Sequence, residues 1–165
     1  ANDQSAIYFL HLNKLILNCF FEEYTQAVDN ATKAEKYIGG SVGTIHFCQF
    51  YLYDSLAHLG IWETLTKSGQ SRVLTRVKAN QKRFKKWAHH SPANHLHQFY
   101  LVEAERYRVL GKGSLAGDYY DRAIAQAKEH EYLHEEALAQ ELAAKFYLAN
   151  GKMIIAQAYL QNAYA

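Results

Sequence analysis

The sequence predicts an all-α fold of about eight helices, paired as four antiparallel helical hairpins that stack as a short solenoid. Three observations predict it. The first is an internal echo at a spacing of forty residues. Ala104, Tyr107, Gly111, Lys112, Ala116, Tyr119 and Ala123 recur as Ala144, Tyr147, Gly151, Lys152, Ala156, Tyr159 and Ala163. A fixed period of this size marks stacked supersecondary units. The second is the offset pattern inside each copy. Ala104 to Tyr107 is one helical step, and Ala116, Tyr120 and Ala123 fall at i, i+4 and i+7, as do Ala156, Leu160 and Ala163. Gly111 and Gly151 stand between two such faces, where a helix ends and the chain reverses. The third is composition: a single proline, Pro92, and no alternating Val/Ile/Thr run bounded by turns favour long uninterrupted helices. The small alanines let two backbones approach at each crossing, and the tyrosines fill the space beside them.

Each element follows in order. Residues 5–19 carry Ile7, Leu10, Leu12, Leu15, Ile16 and Cys19 on a broad apolar face. A second helix opens at Glu22-Glu23 and places Tyr24, Ala27, Ala31 and Ala34 on one side, so the first hairpin is a degenerate copy of the repeat. Gly39-Gly40-Ser41-Val42-Gly43 reads as a flexible connector. The most aromatic helix runs from Thr44 to about Leu59, followed by Gly60 and a half-helical bridge with Ile61, Trp62 and Leu65. A fourth helix over 70–87 sets Val73, Val77, Phe84 and Trp87 on one side. Ser91, as N-cap, and Pro92, at the first helical position, start a fifth helix that runs to Leu110. The sixth spans Ser114–His130, the seventh Leu133–Asn150 and the eighth Lys152–Ala165.

The 165 residues read as one domain, 1–165, long enough to bury a core. No apolar run approaches the roughly 18 residues of a membrane span. No leader ending in a small-residue cleavage site is visible, so a cytoplasmic setting is expected. Cys19 and Cys48 lie in apolar helical surroundings and read as buried thiols. Ala1 opens almost directly into a helix and Ala165 falls mid-pattern, so the chain reads as an excised piece of a larger polypeptide, with Ala1 as a tag remnant.

The net charge of +2 conceals an asymmetry. Residues 1–69 carry four basic and seven acidic groups, residues 70–102 seven and none, and residues 103–165 seven and nine. The basic block is the fourth helix: Arg72, Arg76, Lys78, Lys82, Arg83, Lys85 and Lys86. Three readings compete for it. It is a solvated face whose lysine stems cover apolar surface, a docking face for an acidic protein surface, or a nucleic-acid contact. Mild overall basicity, and aromatics (Phe84, Trp87) on the apolar side, argue against nucleic acid. Arg72, Arg76, Lys82, Arg83 and Lys86 are the candidate interaction residues. A homo-oligomer is left open.

Chemistry is poorly represented. Gly111-Lys112-Gly113-Ser114 lacks the upstream glycine of a phosphate loop and follows a helix rather than a strand. His89, His90, His95 and His97 cluster around Pro92, and His130 and His134 stand at i, i+4 beside Glu131 and Glu135. Such a pair can hold a metal on one helix, but here it straddles a helix break without a third ligand at fixed spacing. Exposed or capping roles are expected for these histidines. Glu103/Glu105 and Glu135/Glu136 do not face each other as catalytic pairs. Ion pairing with Arg106, Arg108 or Arg122 across a hairpin is expected instead. No catalytic, cofactor or metal residue is assigned.

The Ala/Tyr/Gly/Ala/Tyr/Ala order resembles the tetratricopeptide repeat, a right-handed solenoid of helical hairpins. It differs in its period of forty rather than about thirty-four, and lacks that repeat's tryptophan and closing proline. A second resemblance covers most of the chain. It is carried by Phe50-Tyr51-Leu52-Tyr53-Asp54-Ser55-Leu56-Ala57, Trp87-Ala88, Ser91-Pro92-Ala93-Asn94 and Leu101-Val102-Glu103-Ala104-Glu105. It continues through Tyr120-Asp121-Arg122-Ala123-Ile124, Glu136-Ala137-Leu138-Ala139-Gln140-Glu141-Leu142 and Ala158-Tyr159-Leu160. Together these resemble the helical-repeat region of very large bacterial, cyanobacterial-type signalling proteins. There a serine/threonine kinase and an AAA-type ATPase precede the repeats, and GAF and histidine kinase domains follow. The resemblance implies a non-catalytic interaction and spacer module that links sensor and catalytic domains of such a multi-sensor kinase. A free-standing peptide-binding adaptor and a nucleic-acid-binding regulatory domain are the alternatives.

Overall fold

The structure, a computed structural model, describes residues 3–164; the expectations placed on Ala1 and Ala165 fall outside them. Every regular element among the described residues is helical. The helices are α1 (Gln4–Phe20), α2 (Tyr24–Glu35), α3 (Ile45–Gly60), α4 (Lys67–His90), α5 (Pro92–Val109), α6 (Gly113–Glu129), α7 (Leu133–Ala149) and α8 (Met153–Ala163). Short 3-10 turns, Ile38–Ser41 and Trp62–Thr64, flank α3. No helix among the described residues is long and apolar enough to cross a membrane. The chain divides into two compact units, with the boundary between Asn80 and Gln81 inside α4.

In the first unit α1 and α2 pair closely. Asp3 starts α1 as its N-cap, its carboxylate accepting from the amides of Ser5 and Ala6 at 3.1 and 3.3 Å. Ala27, Ala31 and Ala34 recur along one face of α2 and are fully buried, which admits the larger Tyr8, Leu12 and Leu15 of α1. Helix α3 packs on both and is buried on nearly every side from Phe50 to Leu59. The glycine-rich stretch before it, expected as a connector, contains the 3-10 turn Ile38–Ser41. Ser41 is fully buried in the 3-10 turn with its hydroxyl donating to the Ile38 carbonyl at 2.8 Å, and Thr44 donates to the Ser41 carbonyl at 2.7 Å. These side-chain hydrogen bonds add to the backbone bonds of the turn, Gly40 to Tyr37 at 3.3 Å and Thr44 to Ser41 at 3.0 Å.

The second unit carries the forty-residue repeat as two close hairpins, α5/α6 and α7/α8, with α6 also packed on α7. Ala104, Ala116, Ala123, Ala144 and Ala156 are all at most 2% exposed, as crossing points must be. Each copy stacks its tyrosines. Tyr107 and Tyr119 lie 5.4 Å apart at 24°, and Tyr147 and Tyr159 lie 5.4 Å apart at 8°. The following lysine sits over the first ring in both copies, Lys112 at 6.0 Å from Tyr107 and Lys152 at 5.9 Å from Tyr147. Between copies the small Gly117 of α6 admits the Tyr147 hydroxyl, which would stand 2.7 Å from any Cβ there. Tyr120 packs on Phe146 at 5.5 Å. At the corresponding place in α8, Leu160 is 37% exposed rather than core.

One turn geometry closes all three close hairpins and joins α6 to α7. At Gly111 the backbone is left-handed (φ 70°), the Lys112 amide donates to the Tyr107 carbonyl and the Gly111 amide to Arg108. This is the Schellman arrangement. Gly151 (φ 73°) repeats it with Tyr147 and Leu148. Glu22 (φ 58°) and Glu131 (φ 60°) adopt it as well, although a side chain in that region costs roughly 1–2 kcal/mol. Pro92 holds the first turn of α5 as expected, but Ser91 before it makes no side-chain cap bond.

Candidate interaction surface and the buried ion network

Helix α4 is organised by Val73, Val77, Phe84 and Ala88, all buried, at spacings of four, seven and four residues. The remaining positions carry the basic block, and the two units use it differently.

In the first unit, Arg76 points inward. Its Nε donates to Asp54 Oδ2 at 2.9 Å and Oδ1 at 3.1 Å, and its Nη2 to Oδ1 at 2.9 Å and to Glu35 at 3.0 Å. Asp54 has no exposed surface and also accepts from Asn80 Nδ2 at 2.8 Å. Asn80 donates as well to Ser55 at 3.0 Å, and His58 Nδ1 lies 3.3 Å from Asp54 Oδ1 while donating to the Asp54 carbonyl at 2.8 Å. Burial works to raise the Asp54 pKa. The hydrogen bonds and charges of His58 and Arg76 outweigh it and hold the carboxyl below its ordinary value. Burial likewise opposes the charge on Arg76, and Asp54 and Glu35 overcome it, so the guanidinium is held more firmly protonated than usual. Arg76, one of the expected interaction residues, has a structural role that the sequence reading did not assign: its guanidinium is the counter-ion of a buried carboxylate. The sequence reading missed Asp54; the one signal it offered was a lone acid among the mostly apolar residues Phe50–Leu59, since a buried carboxylate requires a partner.

Arg72, one turn before Arg76, is exposed and makes a single hydrogen bond to Ser68 at 3.2 Å. Cys19 is buried against the Tyr53 carbonyl, and burial first, then Asp54, pushes its thiol up to about 12. Cys48 is half-buried, and both cysteines are free.

In the second unit, Lys82, Arg83, Lys85 and Lys86 are exposed. The inner side of this stretch is held by Phe84, fully buried and edge-on to Trp87 at 5.3 Å, and by Gln81. The Gln81 amide donates to the Phe99 carbonyl and to Glu103, both at 2.9 Å. Glu103 and Glu105 are buried and paired along α5 with Arg106 at 2.6 Å and Arg108 at 2.7 Å, three residues on, rather than across a hairpin as expected. What crosses the hairpin is the Tyr120 hydroxyl, bonded to Glu105. Burial, then the Glu105 charge, raises the Tyr120 phenol well above its ordinary pKa. Arg122 lies over the Tyr119 ring at 5.1 Å. Tyr159 bonds Asp121 in the other copy.

The histidines divide. His89, His90, His130 and His134 are exposed, and His130 caps α6 while His134 belongs to α7, so the pair does straddle a break. His97 corrects the expectation of an exposed role. It is 2% exposed, stacked on Tyr132 at 4.4 Å, and neither ring nitrogen has a hydrogen-bond partner. Burial, with smaller contributions from His95 and His130, lowers its pKa to about 4. No group of three or more His, Cys, Asp or Glu among the described residues is placed to hold a metal.

Compared with protein-family models, with curated proteins and with solved structures, the chain gives no match.

Proposed function

We propose that this chain is a non-catalytic docking module whose α4 stretch Lys82, Arg83, Lys85 and Lys86 receives an acidic protein surface. The observation that carries the reading is charge placement. Four exposed cations stand within five residues of one helix in a stretch, Gln70–Val102, that contains no acid. A solvated face ordinarily intersperses both signs, and a single-sign patch steers an oppositely charged partner. Of the two aromatics on this helix Phe84 is buried. Trp87, half-buried rather than fully on the apolar side, is engaged by Phe84 at 5.3 Å and His95 at 5.7 Å, which leaves little ring face for stacking on a base. The host of such a module, a multidomain signalling kinase with ATPase and sensor domains, rests on the sequence resemblance alone.

The test uses the whole chain with a glutamate-rich peptide and with random-sequence duplex DNA. The peptide should bind, more weakly as salt rises, and the Lys82→Glu/Lys86→Glu double variant should abolish binding without changing the melting temperature. Tighter binding to the DNA, with affinity falling log-linearly in salt at a slope of about −0.9 per phosphate contacted, would replace this reading by a nucleic-acid one. Coding sequence on either side that specifies neither kinase nor ATPase would remove the proposed host.

A further inference from the structure

A cavity of about 300 Å3 opens in the first unit, apart from the Lys82–Lys86 stretch, between the end of α3 and the start of α4. Ile61, Leu65 and Val73 form its apolar wall, and Arg72, Arg76 and His58 its polar one; no carboxylate lines it. The two arginines stand at i, i+4 on one helix face, where like charges repel. Arg76 is compensated through Nε and Nη2 by Asp54 and Glu35, while its Nη1 has no hydrogen bond to another described residue. Arg72 has only the Ser68 hydroxyl at 3.2 Å and no acidic partner among the described residues. One uncompensated guanidinium and one partly used one therefore share a recess whose other side is aliphatic.

We propose that this cavity binds a carboxylate carried on a short branched apolar stem, either a free aliphatic acid or the chain end of a peptide. The carboxylate bridges Arg72 and the unused edge of Arg76, and the stem lies against Ile61, Leu65 and Val73. Such a ligand answers both walls at once. Bidentate guanidinium contacts favour a planar carboxylate, and the aliphatic wall rewards a methyl-bearing stem. A dianionic phosphate suits the recess less, because the Asp54 and Glu35 carboxylates stand directly behind Arg76, and it has no stem for the apolar wall. Arg72 sets the affinity and Arg76, fixed by Asp54, sets the position.

Amide-resolved NMR titration of the whole chain at constant ionic strength tests this with four probes. They are isocaproate, its neutral amide isocaproamide, inorganic phosphate, and a short peptide ending in a free leucine carboxylate. Isocaproate or the peptide should give saturable shifts confined to residues lining the cavity, among them Ile61, Leu65, Gly69, Arg72, Val73 and Arg76, and whichever binds tighter names the source. Isocaproamide and phosphate should give none at the same concentration. Arg72→Gln, at an exposed position that the fold does not depend on, should weaken binding about tenfold or more, the worth of a charge-assisted hydrogen bond. The proposal is overturned if neither carboxylate probe gives a saturable local shift. It fails equally if isocaproamide or phosphate binds as well as they do, or if Arg72→Gln leaves affinity unchanged.

Discussion

Helices α5 and α6 meet through alanine, whereas α3 and the first half of α4 meet through charge. In the first case Ala104, Ala116 and Ala123 carry the crossing and the backbones come close. In the second the long side chains of Arg76 and Asn80 reach Asp54 and Ser55 across a wider gap. The difference teaches what each contact tolerates. An alanine crossing is secured by shape and fails by overpacking. A buried ion pair is secured by mutual compensation and fails when one partner is removed, because the other is left desolvated and alone. The two units carry one tryptophan each, Trp62 and Trp87, so variants retaining only one of them report on the units separately.

The largest effect is expected at the charged contact. Asp54→Ala leaves Arg76 with only the exposed Glu35 and strips Asn80 of an acceptor. It should cost about 3–5 kcal/mol, read from urea unfolding followed at Trp62. Asp54→Leu combined with Arg76→Met should recover most of that loss, since no orphan charge remains. If the double variant is as unstable as the single one, compensation is not what holds this pair.

A second effect separates the units by pH. His97 is neutral when folded down to a pKa of about 4, while an unfolded histidine titrates near 6.5. Above about pH 6.5 both states are neutral and the residue is silent. As pH falls from there towards 4 the unfolded chain alone takes up the proton, so stability declines, by an order of 3 kcal/mol in full. His97→Phe keeps a ring against Tyr132 and removes two unpartnered buried nitrogens. It should raise stability and flatten the slope over this window, measured by urea unfolding at Trp87 at several pH values. A slope unchanged in the variant would assign the acid loss elsewhere.

Much of the second unit was legible in sequence because its information is periodic. The forty-residue echo of Ala104 and Ala144, with Gly111 and Gly151, delivered the hairpins and their turns, and the structure places the stacked tyrosines where the echo put them. The non-periodic features were not legible. Asp54 and Arg76 are a single pair twenty-two residues apart, so nothing in either helix announces the other. Glu22 and Glu131 occupy left-handed turns without any turn-forming residue type, because the tertiary contacts of the flanking helices impose the reversal. His97 lay hidden among polar neighbours, although its spacing to Leu101 and Ala104, at i, i+4 and i+7, was the helical signal of a core position.

The smallest effect tests the comparison within the repeat itself. Ala123 and Ala163 are the same position of the two copies, yet Ala123 is 1% exposed and Ala163 only half-buried. Ala123 lies in α6, which has α5 on one side and α7 on the other, while Ala163 ends α8, whose main packing among the described residues is on α7. A larger side chain at Ala123 has nowhere to go. Ala123→Leu should therefore force neighbouring side chains off their rotamers and cost about 1–3 kcal/mol. Ala163→Leu can swing its added atoms into solvent and should stay within about 0.5 kcal/mol of the parent. Thermal melting of the two variants side by side measures the pair. Equal losses would mean that the two copies are packed alike, and neutrality at both positions would mean that alanine is not what sets the α5/α6 crossing.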